Sequence, residues 1–341
     1  MRTKPAKEAT VGRTRVSSVV ALILCPVVTV VAAQQLFRSG VDAVVIPVSV
    51  RSGNKPVTGL AAADFELRDN GVVQELQNVA AEKIPIDVTL LLDLSSSVDG
   101  PMLQRLKTAV ADTAALLRPD DRIRLVSISQ VLREVFDLRP KAGAMPLDSL
   151  SAEGATSLYD GLAVTMMRPT DIGRRQLIVA FTDGRDSTSI VDQSTAKAIA
   201  RLTDAVVDIV VPITQRADVT RRLSQRAGGA PDSLAGAANV TINGQGPGGV
   251  APDGVPPILS EIVAPTAGQV LTLGPNDNIS RVFRSVLDEF RATYVLQYAV
   301  RGVEPSGWHE VDVSLRKHGK YDIRARKGYR GRSKIPFGEK P

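Results

Sequence analysis

Ile-Asp-Val-Thr-Leu-Leu-Leu-Asp-Leu-Ser-Ser-Ser, residues 86–97, is the stretch that decides the fold class. From Ile86 to Leu92 the run is mostly apolar and lacks the strict alternation of a strand with one wet face. It therefore reads as a strand buried on both sides, and it stops at a carboxylate, Asp93. Beyond it, Leu103, Leu106, Val110, Ala114 and Leu117 recur at helical spacing, and Arg122–Ile128 (RIRLVSI) is strand-like. Leu158–Met166 reads as a helix, and Gln176–Phe181 (QLIVAF) as a second buried strand that runs into Asp183. A helix over Thr195–Leu202 and a strand over Val206–Ile213 (VVDIVVPI) follow. Gly268–Leu273 resumes the pattern before a helix with Ile279, Val282, Phe283, Val286, Leu287 and Phe290 on one face. Strands alternating with helices imply an α/β fold: a doubly wound, mostly parallel sheet with flanking helices.

The flanks have another rhythm. Ala43–Val50 (AVVIPVSV) and Phe65–Leu67 are short strand candidates, with turns at Arg51–Asn54 and Asp69-Asn70-Gly71. Residues 41–84 hold few large apolar side chains and need a partner. Tyr294–Tyr298, Glu310–Leu315 and Tyr321–Arg324 are strands that can supply one. The economical topology is a small β module formed by N- and C-terminal strands, with the α/β domain inserted between them. The expected boundaries are 34–84 for the N-terminal β region, 85–292 for the α/β domain, and 293–341 for the C-terminal β region and basic tail. Residues 228–257, rich in Gly, Pro and Ala, read as a flexible insertion.

The chain has 341 residues of ordinary globular composition, 43% hydrophobic and 23% charged. Arg2, Lys4, Lys7, Arg13 and Arg15 precede an uncharged stretch, Val16–Ala33, which ends Val31-Ala32-Ala33. Residues 1–33 therefore read as a cleaved export signal rather than a membrane anchor, which puts the mature protein in the periplasm or outside the cell. Membrane association is expected only if that segment stays attached. The one cysteine, Cys25, leaves with the signal, so no disulfide is expected. Five basic residues and one acid leave too, and the formal charge falls from +6 to +2. That weakens any case for nucleic acid, and the basic tail, Arg316–Lys334 with Tyr321 and Tyr329, reads as a charged edge strand and a loose end.

In a parallel sheet, ligands gather where strands end. Asp93-x-Ser95-x-Ser97 places a carboxylate and two hydroxyls on alternate residues of a short loop. Thr156, in the loop Gly154–Asp160, and Asp183 add a hydroxyl and a second carboxylate. Such an oxygen-only set suits a hard divalent cation, Mg²⁺ or Mn²⁺. Another account has Ser95 and Ser97 capping the next helix and Asp183 capping a later one.

At these residues the chain resembles the von Willebrand factor type A domain. The matching motifs are DLSSS (93–97), GATSLYDGL (154–162) and FTDGRD (181–186), in the family's order. The resemblance implies a metal-ion-dependent adhesion site. Asp93, Ser95 and Ser97 would hold the ion, Thr156 would join mainly when a ligand is engaged, and Asp183 would bind directly or through water. It further implies a protein partner presenting a Glu or Asp carboxylate to that ion.

The only histidines, His309 and His318, fall in the C-terminal β region, which disfavours a histidine metal cluster or a Ser-His-Asp triad. Asp160 reads as an acid at a helix start that orients the Thr156 loop, and Asp186 as a turn residue. The expected function is an exported, non-enzymatic adhesion or scaffolding module. The alternatives are a metal-assisted hydrolase with Asp160 or Asp183 as base, and an assembly factor whose metal site is unused.

Overall fold

The computed structural model describes residues 43–212 and 255–331, except 54, 81–83, 99, 142 and 144. The segment read as an export signal, residues 213–254 with most of the 228–257 stretch, and the last residues of the basic tail lie outside the described residues. No helix among the described residues is long and apolar enough to cross a membrane.

The described chain opens with β1 (Ala43–Ser52), β2 (Lys55–Pro56), β3 (Phe65–Asp69), β4 (Val72–Gln74) and β5 (Leu76–Ala80). Asn70 and Gly71 join β3 to β4, both at positive φ (46° and 81°), the backbone an Asn-Gly hairpin turn requires. The α/β part follows: β6 (Ile86–Asp93), α1 (Pro101–Leu116), β7 (Arg122–Ile128), β8 (Leu132–Pro140), α2 (Leu158–Met166), β9 (Arg175–Phe181), α3 (Gln193–Leu202), β10 (Val206–Pro212), α4 (Pro257–Val263), β11 (Val270–Leu273) and α5 (Ile279–Ala292). The chain then returns through β12 (Tyr294–Ala299), β13 (Gly307–Leu315), β14 (Asp322–Ala325) and β15 (Gly328–Gly331).

The six-stranded sheet runs β11-β10-β9-β6-β7-β8, parallel except for the antiparallel β7–β8 pair. Every residue of β6 is buried, as its unbroken apolar run requires at the centre of a two-sided sheet. On one face, Leu90, Leu92 and Val179 pack against Leu106 and Val110 of α1 and Phe283 and Leu287 of α5. On the other, Leu91, Ile178 and Ile209 pack against Leu158 and Leu162 of α2, Ala196 of α3 and Leu259 of α4. Each fully buried Leu or Ile contributes about 1.5–3 kcal/mol relative to exposure. Gly161 marks the tightest approach of α2, since a Cβ there would lie 2.5 Å from Ile128 Cγ2.

The N- and C-terminal strands pair as the sequence suggested, but in two sheets. One runs β14-β1-β12-β5 with β2 on β1, and the other β15-β13-β3-β4. Between them lie Ile46 and Val48 of β1, Phe65 and Leu67 of β3, Leu296 and Tyr298 of β12, and Val311 and Val313 of β13. This is the partner the thin N-terminal strands needed. The module is tied to α5 by Glu289, which accepts from Ser49 (3.1 Å) and pairs with Arg51 (2.6 Å) and Arg324.

Three sequence expectations need correction. β8 went unrecognised because an edge strand alternating charged and apolar residues shows no buried run. The stretch 228–257 extends too far: Val255 is buried and Pro257 opens α4, a position that suits proline's fixed φ. The basic tail is no loose end at Tyr329, which is buried in β15 with its hydroxyl 2.7 Å from Asp69.

Candidate metal site

The sheet order places a topological switch between β6 and β9, since the chain leaves β6 toward β7 and later crosses back to β9 on its other side. Crevices at such points, at the carboxyl ends of the strands, are where open α/β sheets hold ligands. The register pairs Leu92 with Phe181, so the residues that follow, Asp93 and Thr182, emerge side by side.

Asp93 is fully buried and accepts on both oxygens. Its Oδ1 receives the Ser95 N–H at 3.0 Å and the Thr156 hydroxyl at 3.4 Å, and its Oδ2 receives the Thr182 hydroxyl at 2.9 Å. Ser95 Oγ and Ser97 Oγ lie 3.0 Å apart, Ser95 buried and Ser97 exposed to solvent. Asp183 is half-buried, its Oδ1 accepting the Arg185 N–H at 3.0 Å. The structure thus links Asp93, Ser95, Ser97 and Thr156 by direct contacts, and Asp183 faces Asp93 electrostatically.

Burial pushes the Asp93 carboxyl above its ordinary value. Hydrogen bonds from Ser95 and Thr182 oppose this, and the negative charge of Asp183 adds to it. The Arg185 guanidinium comes within 3.9 Å of Asp183, but its side chain is 82% exposed and screened. Two carboxylates are therefore held together in a partly dry crevice with little protein charge to balance them. A divalent cation fits that deficit, and hydroxyls complete its shell without adding charge. Among the described residues no three His, Cys, Asp or Glu side chains cluster, so any ion here depends on the serines and threonine.

Helix capping does not explain these residues. α1 has Gly100 at its N-cap with no side-chain cap, and α3 is capped by Asp192, which accepts the Thr195 N–H at 2.7 Å. Ser95, Ser97 and Asp183 cap neither helix.

The loops are fastened to one another by groups outside the donor set. The Ser96 N–H reaches Gly154 O (3.2 Å), and the Glu153 N–H reaches Leu94 O (2.8 Å), joining the first loop to the second. The second is laced to the third by Ser187 N–H to Thr156 O (2.9 Å) and by a contact between the Ser157 and Thr188 hydroxyls (2.8 Å). Asp186 is more than a turn residue: its Oδ1 accepts the Leu158 N–H at 2.8 Å, closing the start of α2 from another loop. Asp160 makes its bonds across to the third loop and not within the Thr156 loop. Its carboxylate accepts the N–H groups of Ile190 (3.1 Å) and Val191 (2.8 Å). Gly184, at φ +80°, turns against α4, where a Cβ would meet Pro256 at 2.9 Å.

Sequence reasoning missed Thr182, Asp186, Ser187 and Thr188 as supports. The signal was the density of short polar side chains over 182–189, beside the two acids it had singled out. His309 and His318 stand apart from the site, His309 buried in the β module and His318 exposed.

Residues 87–234 match the von Willebrand factor type A domain model. A search of curated proteins finds no match. Similar solved structures include an aerotolerance-related membrane protein from Bacteroides fragilis, 15% identical, covering 60% of this chain and 98% of that one (TM-score 0.41). A von Willebrand factor type A protein from Catenulispora acidiphila is 12% identical and covers 86% and 76% (TM-score 0.42). Proximal thread matrix protein 1 of the mussel byssus, with a zinc-occupied MIDAS motif, is 13% identical and covers 64% and 48% (TM-score 0.42).

Proposed function

Because residues 87–234 belong to the von Willebrand factor type A family, we propose that this protein is a non-enzymatic, divalent-metal-dependent protein-binding module. Its site of Asp93, Ser95, Ser97, Thr156 and Asp183 captures a Glu or Asp carboxylate of a partner. The observation that carries this reading is the gathering of oxygen donors from three loops at the switch point, none of them used as a helix cap. A donor set without nitrogen or sulfur favours Mg²⁺ or Mn²⁺ over zinc. When bound, the ion supplies Lewis-acid attraction for an anionic oxygen. The chain's own residues do the rest: Asp93 and Asp183 bring the balancing charge, Ser97 stands at the solvent side, and Thr182 fixes the angle of the Asp93 carboxylate.

Binding is favoured over hydrolysis by the engagement of Asp160, which accepts backbone N–H groups and is not free to serve as a base. The basic and apolar N-terminal segment supports a location outside the cytoplasm, periplasmic or secreted.

Calorimetric titration with Mg²⁺ and Mn²⁺, on the wild type and Asp93→Ala, tests the metal. Capture from envelope extracts in Mg²⁺ against EDTA tests the partner. The wild type should bind the ion with millimolar or better affinity and retain its partner only with the ion present. Absence of binding at millimolar cation, or capture unchanged by EDTA, overturns the reading.

A further inference from the structure

Away from the metal site, a groove of about 650 Å³ runs between the α/β part and the outer face of the second β-module sheet. One wall is a single face of α3, with Ser194, Lys197, Ala198 and Arg201 at helical spacing. Glu261, Ala264 and Pro265, in and after α4, form the other wall, and Trp308 and Glu310 of β13 with Lys327 form the floor. Alternation along β13 turns His309 and Val311 into the module core and leaves Trp308 and Glu310 outside.

Trp308 is the only tryptophan of the chain, and 44% of it is exposed. It rests on Gly328, where a Cβ would lie 2.3 Å from His309 O and 2.5 Å from Trp308 Cζ2, so only glycine fits against β13 and the indole there. The indole is thereby packed on β15 while much of it stays open to solvent. Lys197 is paired with Glu261 at 2.9 Å. The side chains of Arg201 and Lys327 have no acceptor among the described residues, and both are exposed.

We propose that this groove is a second binding site, for an acidic sugar unit of a polysaccharide. The ring's C–H face would stack on Trp308, its carboxylate would pair with Arg201 and Lys327, and its hydroxyls would donate to Glu310. An open, rigid indole suits a flat ligand face, two unpaired cations suit an anion, and a carboxylate on the floor suits a neighbouring donor. One ligand must offer all three. Glu310 has no use for a second anion beside the one that Arg201 and Lys327 hold, so a ligand with hydroxyls next to its carboxylate fits better than a phosphate backbone, and oligoglutamate offers no ring face for the indole.

Because Trp308 is the sole tryptophan, its emission reports on this groove directly. The full chain is titrated in EDTA with oligogalacturonate, a neutral cello-oligosaccharide, oligoglutamate and oligo-dT; EDTA removes any contribution from the metal site. Oligogalacturonate should give a saturable change, and the neutral sugar should bind about tenfold or more weakly for want of the charge-assisted contact. The double variant Arg201→Ala/Lys327→Ala, altering exposed side chains only, should weaken oligogalacturonate to the neutral level with circular dichroism unchanged. Asp93→Ala should bind as the wild type does, which separates this site from the metal reading. No saturable change with oligogalacturonate, an unaltered double variant, or equal or tighter binding of oligoglutamate or oligo-dT overturns the proposal.

Discussion

Replacing Asp208 with asparagine tests how the two parts of the molecule are joined. Asp208 sits in the middle of β10 on the face that packs α1 and α5, where Val206 and Val210 on either side are apolar core. It accepts the Gln269 N–H at 2.8 Å, and Arg324 of β14 is the nearby cation. Arg324 itself is committed to Glu289, which Arg51 and Gln269 also approach. Burial therefore dominates, and it pushes the Asp208 carboxyl from 3.8 to about 7.

The sign follows from proton counting. Between those values the native state keeps the proton and the unfolded chain has released it, so stability falls as pH rises and levels off above about 7. Converting the interval by linkage gives on the order of 4 kcal/mol. The asparagine side chain of Asp208→Asn cannot ionise, yet its amide oxygen can still accept from the Gln269 N–H. Urea unfolding followed by circular dichroism, at a series of pH values from about 4 to 8, should show the variant gaining on the wild type across the window, with equal m-values. Parallel curves for the two proteins would refute the reasoning, because Asp208 would then be ionised in the native state throughout.

Other substitutions probe single contacts. Thr182→Val keeps the shape but removes the donor to Asp93 Oδ2 and the acceptor of the Gly184 N–H. It should cost about 1–3 kcal/mol in urea unfolding and weaken Mg²⁺ in calorimetry by about tenfold. Gly161→Ala drives a Cβ toward Ile128 Cγ2 and should destabilise by about 1–3 kcal/mol, and a double-mutant cycle with Ile128→Ala, which removes that methyl, should show the clash relieved as a favourable coupling. Asp69→Ala removes the acceptor shared by the Tyr298 and Tyr329 hydroxyls and His309 Nδ1 in the β-module core, all now within 2.9 Å of Asp69, and leaves Tyr329 and His309 only their 3.0 Å contact with each other. Thermal unfolding should register a loss of roughly 3–5 kcal/mol, several times that of Tyr298→Phe.

Element types in the α/β part were legible because burial on both faces leaves an unmistakable run. β6, β9 and β10 were each found from continuous apolar residues, and α5 from one apolar face. β8 and β15 were not, for a shared reason. Edge strands bury few side chains, and Lys327, Tyr329 and Arg330 in sequence look like a charged tail until Asp69 is seen to accept the Tyr329 hydroxyl. That contact joins residues 260 positions apart, and no local pattern encodes it. α4 was hidden differently: it is short and follows a run of Gly and Pro that masks its start.

The donors of the candidate site were legible and its supports were not, and the difference is physical. Donors must be a few oxygen types at strand ends, so chemistry and spacing together pick them out. Supports need only reach, and many residues can donate or accept across two loops. Asp160 and Asp186 each reach across to the other's segment: Asp186, expected only to turn the chain, closes the start of α2, and Asp160, inside α2, holds the loop that carries Asp186. The two carboxylates form a reciprocal clasp between the Thr156 and Asp183 loops, built on backbone N–H groups and on the Ser189 hydroxyl, which donates to Asp186 Oδ1 and accepts the Asp160 N–H. A clasp of that kind fixes the spacing of the donors without any ion, so under the proposed function a metal and a partner would meet a crevice whose ordering cost folding has already covered.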